Sequence, residues 1–129
     1  MDIVFYHQYP FFYNPIFLGL ISCGVIFIIA GFILLKKPPK EINYLYGYRT
    51  KTSMQNKSVW CFAQKLSAKY LMIIGFIQVL LSFPGLIFRP KIEFAIAITL
   101  FIIIGSVAAK VIIIEKKLKS FLSQNNKPE

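Results

Sequence analysis

The sequence predicts an all-α membrane protein: three transmembrane helices, with a cytoplasmic loop and an amphipathic extension between the first and second. Three observations carry that expectation. The 129 residues are 57% apolar, above the roughly 45–50% of an ordinary soluble domain. The apolar residues gather into runs of 20, 19 and 21 residues, Ile16–Leu35, Tyr70–Phe88 and Phe94–Ile114, and only the last holds a charge, Lys110. Apart from Lys110, the lysines and arginines lie beside these runs rather than within them.

A helix rises about 1.5 Å per residue and the hydrocarbon layer is about 30 Å thick, so roughly 20 residues span it. In lipid only internally bonded backbone is tolerated, which makes each run a helix. Core helices of a soluble bundle would show a polar face at helical spacing, and these runs are apolar all round. The length suits one domain. The organisation expected is an extracytoplasmic aromatic segment at 1–14, a three-helix membrane domain at 15–115 with spans at about 15–36, 67–88 and 92–114, and a basic cytoplasmic tail at 116–129.

The first span starts at Asn14-Pro15, an N-cap residue followed by proline at the first helical position. Pro38-Pro39 stops it. It does not read as a cleavable signal peptide, because Met1 to Pro15 contains no Lys or Arg and no small-residue cleavage site follows. The segment before it carries Phe5, Tyr6, Tyr9, Phe11, Phe12 and Tyr13, an aromatic belt of the kind that favours the membrane interface, with His7 solvated among them.

Orientation follows from the basic residues. The loop after the first span and its flanks hold eight, the C-terminal end five, and the connection between the second and third spans two, Arg89 and Lys91. The positive-inside rule places the N-terminus outside and the C-terminus inside. The net charge of +10 then reflects topology and contact with anionic lipid headgroups, not nucleic acid, since no recognition motif accompanies the lysines.

After the loop, Ser53 can cap a helix beginning "MQNKSVWCFAQKLSAKY". Val59, Ala63, Leu66 and Tyr70 fall on one face of it, while Lys57 and Lys65 snorkel. With no Gly or Pro before Gly75, this helix runs directly into the second span. Trp60 then sits at headgroup level or packs inside. Within the spans, Gly24 and Gly31, and the pair Gly105 and Ala109, permit close helix approach, and Gln78 can bond a neighbouring helix. Lys110 can snorkel to the near interface.

Catalytic chemistry has no foothold. The five acids, Asp2, Glu41, Glu93, Glu115 and Glu129, are scattered, and no Ser/His/Asp set or phosphate-binding glycine loop is present. Cys23 and Cys61 are far apart and, with one histidine, make neither a disulfide nor a metal site. No cofactor, metal or enzymatic activity is expected.

The loop itself is the richest stretch. If Ile42–Thr50 is extended, Tyr44, Tyr46 and Tyr48 share one face and Asn43, Gly47 and Arg49 the other. Gly47 permits a positive φ or a close backbone approach, Asn43 and Thr50 can brace a turn, and Arg49 can fork onto a carboxylate, a lipid phosphate or helix-end carbonyls. The ordered set Pro39, Ile42, Asn43, Tyr46, Gly47, Tyr48, Arg49, Thr50, Ser53, Met54, Asn56, Trp60, Ala63 and Gln64 resembles the signature of the SdpI family of bacterial membrane proteins. With the flanking spans, the resemblance covers about residues 14–115, the family's three-helix domain alone.

The resemblance implies a multi-pass protein of the bacterial inner membrane that gives immunity to, or tolerance of, a membrane-active antimicrobial peptide, with coupling to signalling. Its partners would be the lipid bilayer, through anionic headgroups at the cytoplasmic face, and a toxin peptide, a cytosolic regulator or both, with an oligomer of the chain left open. The alternative it leaves open is a membrane scaffold or signalling subunit that recruits a soluble regulator through the loop. The residues of the signature that would carry function are Pro39, Asn43, Tyr46, Gly47, Tyr48, Arg49, Thr50, Ser53, Asn56, Trp60 and Gln64.

Overall fold

Asn14 and Pro15 start the first helix as the sequence predicts: the Asn14 side chain accepts the Ile16 N–H at 3.0 Å and Pro15 occupies the first turn. The computed structural model describes residues 10–125; the expectations for Asp2, Phe5, Tyr6, His7, Tyr9, Lys127 and Glu129 lie outside them. Three long helices succeed one another: α1 at Pro15–Lys36, α2 at Lys57–Ser82 and α3 at Ile92–Asn125. Short 3-10 turns precede α1 at Phe11–Tyr13 and succeed α2 at Phe83–Leu86. No strand occurs among the described residues, and all three helices are long and apolar enough to cross a membrane. The protein is an all-α membrane protein.

α1 and α2 form the tight pair. The buried positions of α1, Ile16, Leu20, Gly24 and Gly31, lie on one line along the helix. Gly24 meets Gly75 across that line: a Cβ on either would lie 2.6 Å from the other's carbonyl oxygen. Between membrane helices, where lipid is as apolar as any side chain, such backbone approach supplies packing that bulk hydrophobicity does not.

α3 leans on the pair at its two ends. Near Asn14 it meets α1 through Ala95 against Ile16 and Leu20. At the opposite end, the loop end, Ile114 and Leu118 pack with Val59 and Ala63 of α2, and Phe62 stacks on Phe121 with centroids 4.5 Å apart. Between these, Gln78 donates to Ser106 at 2.8 Å, the interhelical bond expected of it. Gly105 and Ala109 are exposed, and nothing lies within 4 Å of a Cβ built on Gly105. That pair faces outward and joins no helix contact.

At 34 residues, α3 is about 51 Å long, well beyond the hydrocarbon thickness. Of the expected tail 116–129, the described residues are therefore helical as far as Asn125 and pack on the start of α2 through Leu118, Phe121 and Leu122. The expected face of Val59, Ala63, Leu66 and Tyr70 is the one that meets it. One expectation fails here. The N-cap of α2 is Asn56, whose side chain accepts the Val59 N–H at 2.9 Å, and Ser53 is not a cap. Cys23 and Cys61 are both free.

At the other end, Asn14 does more than cap. Fully buried, it donates through Nδ2 to the carbonyls of Gly85 and, at 2.8 Å, Phe88. One side chain thus ties the start of α1 to the turn that ends α2.

Candidate functional site

The loop between α1 and α2 is built around one glycine. Gly47 has φ +104°, a left-handed conformation that side chains disfavour, and a Cβ there would lie 2.5 Å from Gln64 Oε1. Both roles allowed by the sequence hold together. The kink breaks the alternation expected of an extended strand: Tyr44 is 82% exposed and Tyr46 50%, while Tyr48 is buried at 8%. The three tyrosines do not share a face.

Beyond the kink, the chain from Tyr48 to Ser53 is clamped to the helices. Gln64, fully buried on α2, accepts the Tyr48 N–H at 2.7 Å and donates to the Tyr48 carbonyl at 2.9 Å. Its amide satisfies that residue's backbone as a neighbouring strand would. Ser53 and Thr50 brace the next turn reciprocally. Ser53 Oγ accepts the Thr50 N–H at 2.8 Å and donates to the carbonyls of Tyr48 and Thr50, while Thr50 Oγ1 accepts the Ser53 N–H at 3.1 Å. Trp60 is buried completely and donates its indole N–H to the Pro39 carbonyl at 2.8 Å. It packs inside the protein and is not a headgroup anchor.

Glu115, one of the scattered acids of the sequence, joins this loop to α3. Its Oε1 accepts from the Tyr48 hydroxyl at 2.9 Å and the Thr50 hydroxyl at 2.8 Å. Burial first, then the hydrogen bond and the charge of Glu115, push the Tyr48 phenol well above its ordinary value. The phenol is therefore a neutral donor throughout the physiological range. The signal available in sequence was position: Glu115 immediately succeeds the third apolar run, at the end where the loop must lie.

The signature residues divide into two sets. Pro39, Gly47, Tyr48, Thr50, Ser53, Trp60 and Gln64 are gathered against α2 and α3 by the bonds above. Asn43, Tyr46 and Arg49 form an outer shelf. There Asn43 accepts the N–H groups of Leu45 and Tyr46 and donates to the Glu41 carbonyl. Tyr46 donates to the Lys37 carbonyl at 3.3 Å, and the exposed Arg49 donates to the Tyr44 carbonyl. Arg49 thus reaches neither a carboxylate nor a helix end. Asn56 serves α2 as its cap. Glu41 and Lys57 pair at 2.6 Å across the rim.

The polar groups of this arrangement mainly satisfy one another. Chemically it can hold a defined loop shape against two helices and offer an exposed tip.

A family model described as the SdpI/YfhL protein family matches residues 40–115, from the start of this loop to Glu115. The chain is also 32% identical over 101 residues to the uncharacterized protein YfhL of Bacillus subtilis (strain 168), covering 78% of this chain and 86% of that one. No solved structure matches. The loop signature, the three membrane-type helices and these two similarities agree, and the chain belongs to the SdpI/YfhL family.

Proposed function

We propose that this protein is a non-enzymatic, multi-pass component of the bacterial inner membrane that gives tolerance of a membrane-active antimicrobial peptide, with coupling to signalling on its cytoplasmic side. The observation that carries the reading is the double attachment of the loop, to α2 through Gln64 and to α3 through Glu115. α3 is the helix least embraced by its neighbours. A peptide inserting beside it would shift Glu115, and with it the hydroxyls of Tyr48 and Thr50. A membrane event would thereby reach a cytosolic surface.

The test is toxin challenge of cells with and without the protein, using a panel of membrane-active peptides. Expected is a rise in survival against at least one peptide, lost in Glu115→Leu at equal protein level. Equal survival with and without the protein across the panel would overturn the reading. The orientation is tested by cysteine labelling: a cysteine replacing Lys91 should react from outside intact cells, and one replacing Lys57 only after permeabilisation. Reaction of the Lys57 position in intact cells would reverse the topology.

A second reading rests on the loop tip. Tyr44 and Leu45 are 82% and 87% exposed and stand beside one another, a small aromatic and aliphatic pair suited to a soluble regulator. Photocrosslinking from Leu45 to cytosolic proteins tests this. A specific adduct would favour the scaffold role, and labelling of lipid alone would count against it.

A further inference from the structure

α1 and α3 touch near Asn14 and separate toward the loop, because there α3 packs on α2 and the loop instead. The gap this leaves is a cavity of about 380 Å³, open on one side, beneath Tyr46–Tyr48. Its size falls within the roughly 300–1,000 Å³ of small-molecule sites. The walls are apolar, with Ala30 and Leu34 from α1 and Leu71 from α2, and Ser67 adds a hydroxyl. The one charge lining it is Lys110.

Lys110 is half-buried, and its ammonium lies 5.8 Å from the centre of the Tyr48 ring. The one ion pair among the described residues is that of Lys57 with Glu41, so Lys110 faces no carboxylate within reach. An aromatic face meets only part of an ammonium with three donors. A cation in an apolar slot is costly until an anion joins it. Lys110 also lies about 7.5 Å along the helix from Glu115, one to two turns from the loop toward the middle of α3.

We propose that this cavity binds one anionic phospholipid, its phosphate on Lys110 and its glycerol and upper acyl chain along Ala30, Leu34 and Leu71. A soluble phosphate would satisfy the lysine but leave those walls without a partner. A zwitterionic lipid would fill the walls but bring its own cation to the phosphate. The anionic phospholipid is the ligand that answers both features.

Native mass spectrometry of the purified full chain, released from bilayers of phosphatidylglycerol and phosphatidylcholine, tests this. One phosphatidylglycerol should remain bound in preference to phosphatidylcholine. Lys110→Gln should lower its retention at least about fivefold, the effect of losing one interfacial lysine charge, and Lys110→Arg should retain it. Ala30→Phe should abolish retention with the charge intact, and so decides the matter if Lys110→Gln loses its helical circular dichroism. Lys116→Gln, at an exposed position of α3, should change nothing. Equal retention of the two lipids, undiminished retention in Lys110→Gln and Ala30→Phe, or displacement of the lipid by glycerol 3-phosphate would each overturn the proposal.

Discussion

The side-chain amide of Gln64 serves both backbone groups of Tyr48, with its oxygen 2.7 Å from the N–H and its nitrogen 2.9 Å from the carbonyl. Glutamine is suited to this by carrying donor and acceptor on one planar group; glutamate or leucine carries at most half of it. Because both partners are buried, neither can turn to water when the amide is removed.

Gln64→Ala should therefore lower stability by about 2–4 kcal/mol, the cost of leaving two buried backbone groups unsatisfied. Unfolding in a detergent titration measures it. A change of only a few tenths would mean the loop is held by other contacts, with the Gln64 bonds incidental.

A pair of glycines gives a contrast within one assay. Gly47→Ala meets both a positive φ and Gln64 Oε1 at 2.5 Å, and should cost at least about 1–2 kcal/mol. Gly105→Ala places its methyl in open space on α3 and removes a helix glycine, so it should be neutral or stabilising by up to about 1 kcal/mol. Equal losses at the two positions would contradict this loop geometry.

How far the chain could be read without its structure divides along physical lines. The spans, the Asn14 cap, the face of Val59 and Ala63, and the Gln78 bond come from local rules of hydropathy, capping and helical period. The kink at Gly47 defeats the alternation of Tyr44, Tyr46 and Tyr48, since one left-handed residue resets every face after it. Ser53 and Asn56 are both competent caps, and only the tertiary bonds of Ser53 to Tyr48 and Thr50 decide between them. Glu115 was hidden for a different reason: its partners are more than 60 residues away in sequence, beyond the reach of any local pattern.

The Tyr48 phenol gives a pH signature. Its proton is held above the ordinary value of about 10 by burial and by Glu115. A group raised in the folded state contributes stability that is complete below the unfolded value and is lost as pH rises through the folded one. Loop stability should thus hold to about pH 10 and fall in more alkaline solution. The phenolate difference spectrum should retain a late-titrating tyrosine that Glu115→Gln shifts toward the ordinary range. An unchanged titration in Glu115→Gln would leave burial as the sole cause.

Arg49 supplies the sharpest separation of structure from function. Its guanidinium is exposed and bonds to the Tyr44 carbonyl, on the shelf and not in the clamp formed by Gln64, Ser53 and Glu115. Lysine at this position keeps the positive charge beside the spans and can still reach a single carbonyl, so Arg49→Lys should leave insertion, expression and the unfolding midpoint unchanged. What lysine cannot reproduce is the planar fork that holds a carboxylate or phosphate at two points. If the shelf meets a partner through that fork, Arg49→Lys should impair protection against peptide challenge while the protein level stays normal, and Asn43→Ala, which dissolves the turn presenting Tyr44, should do the same. Full protection by Arg49→Lys at a normal protein level would reduce the shelf to a connector between two helices, with the clamp alone as the functional element.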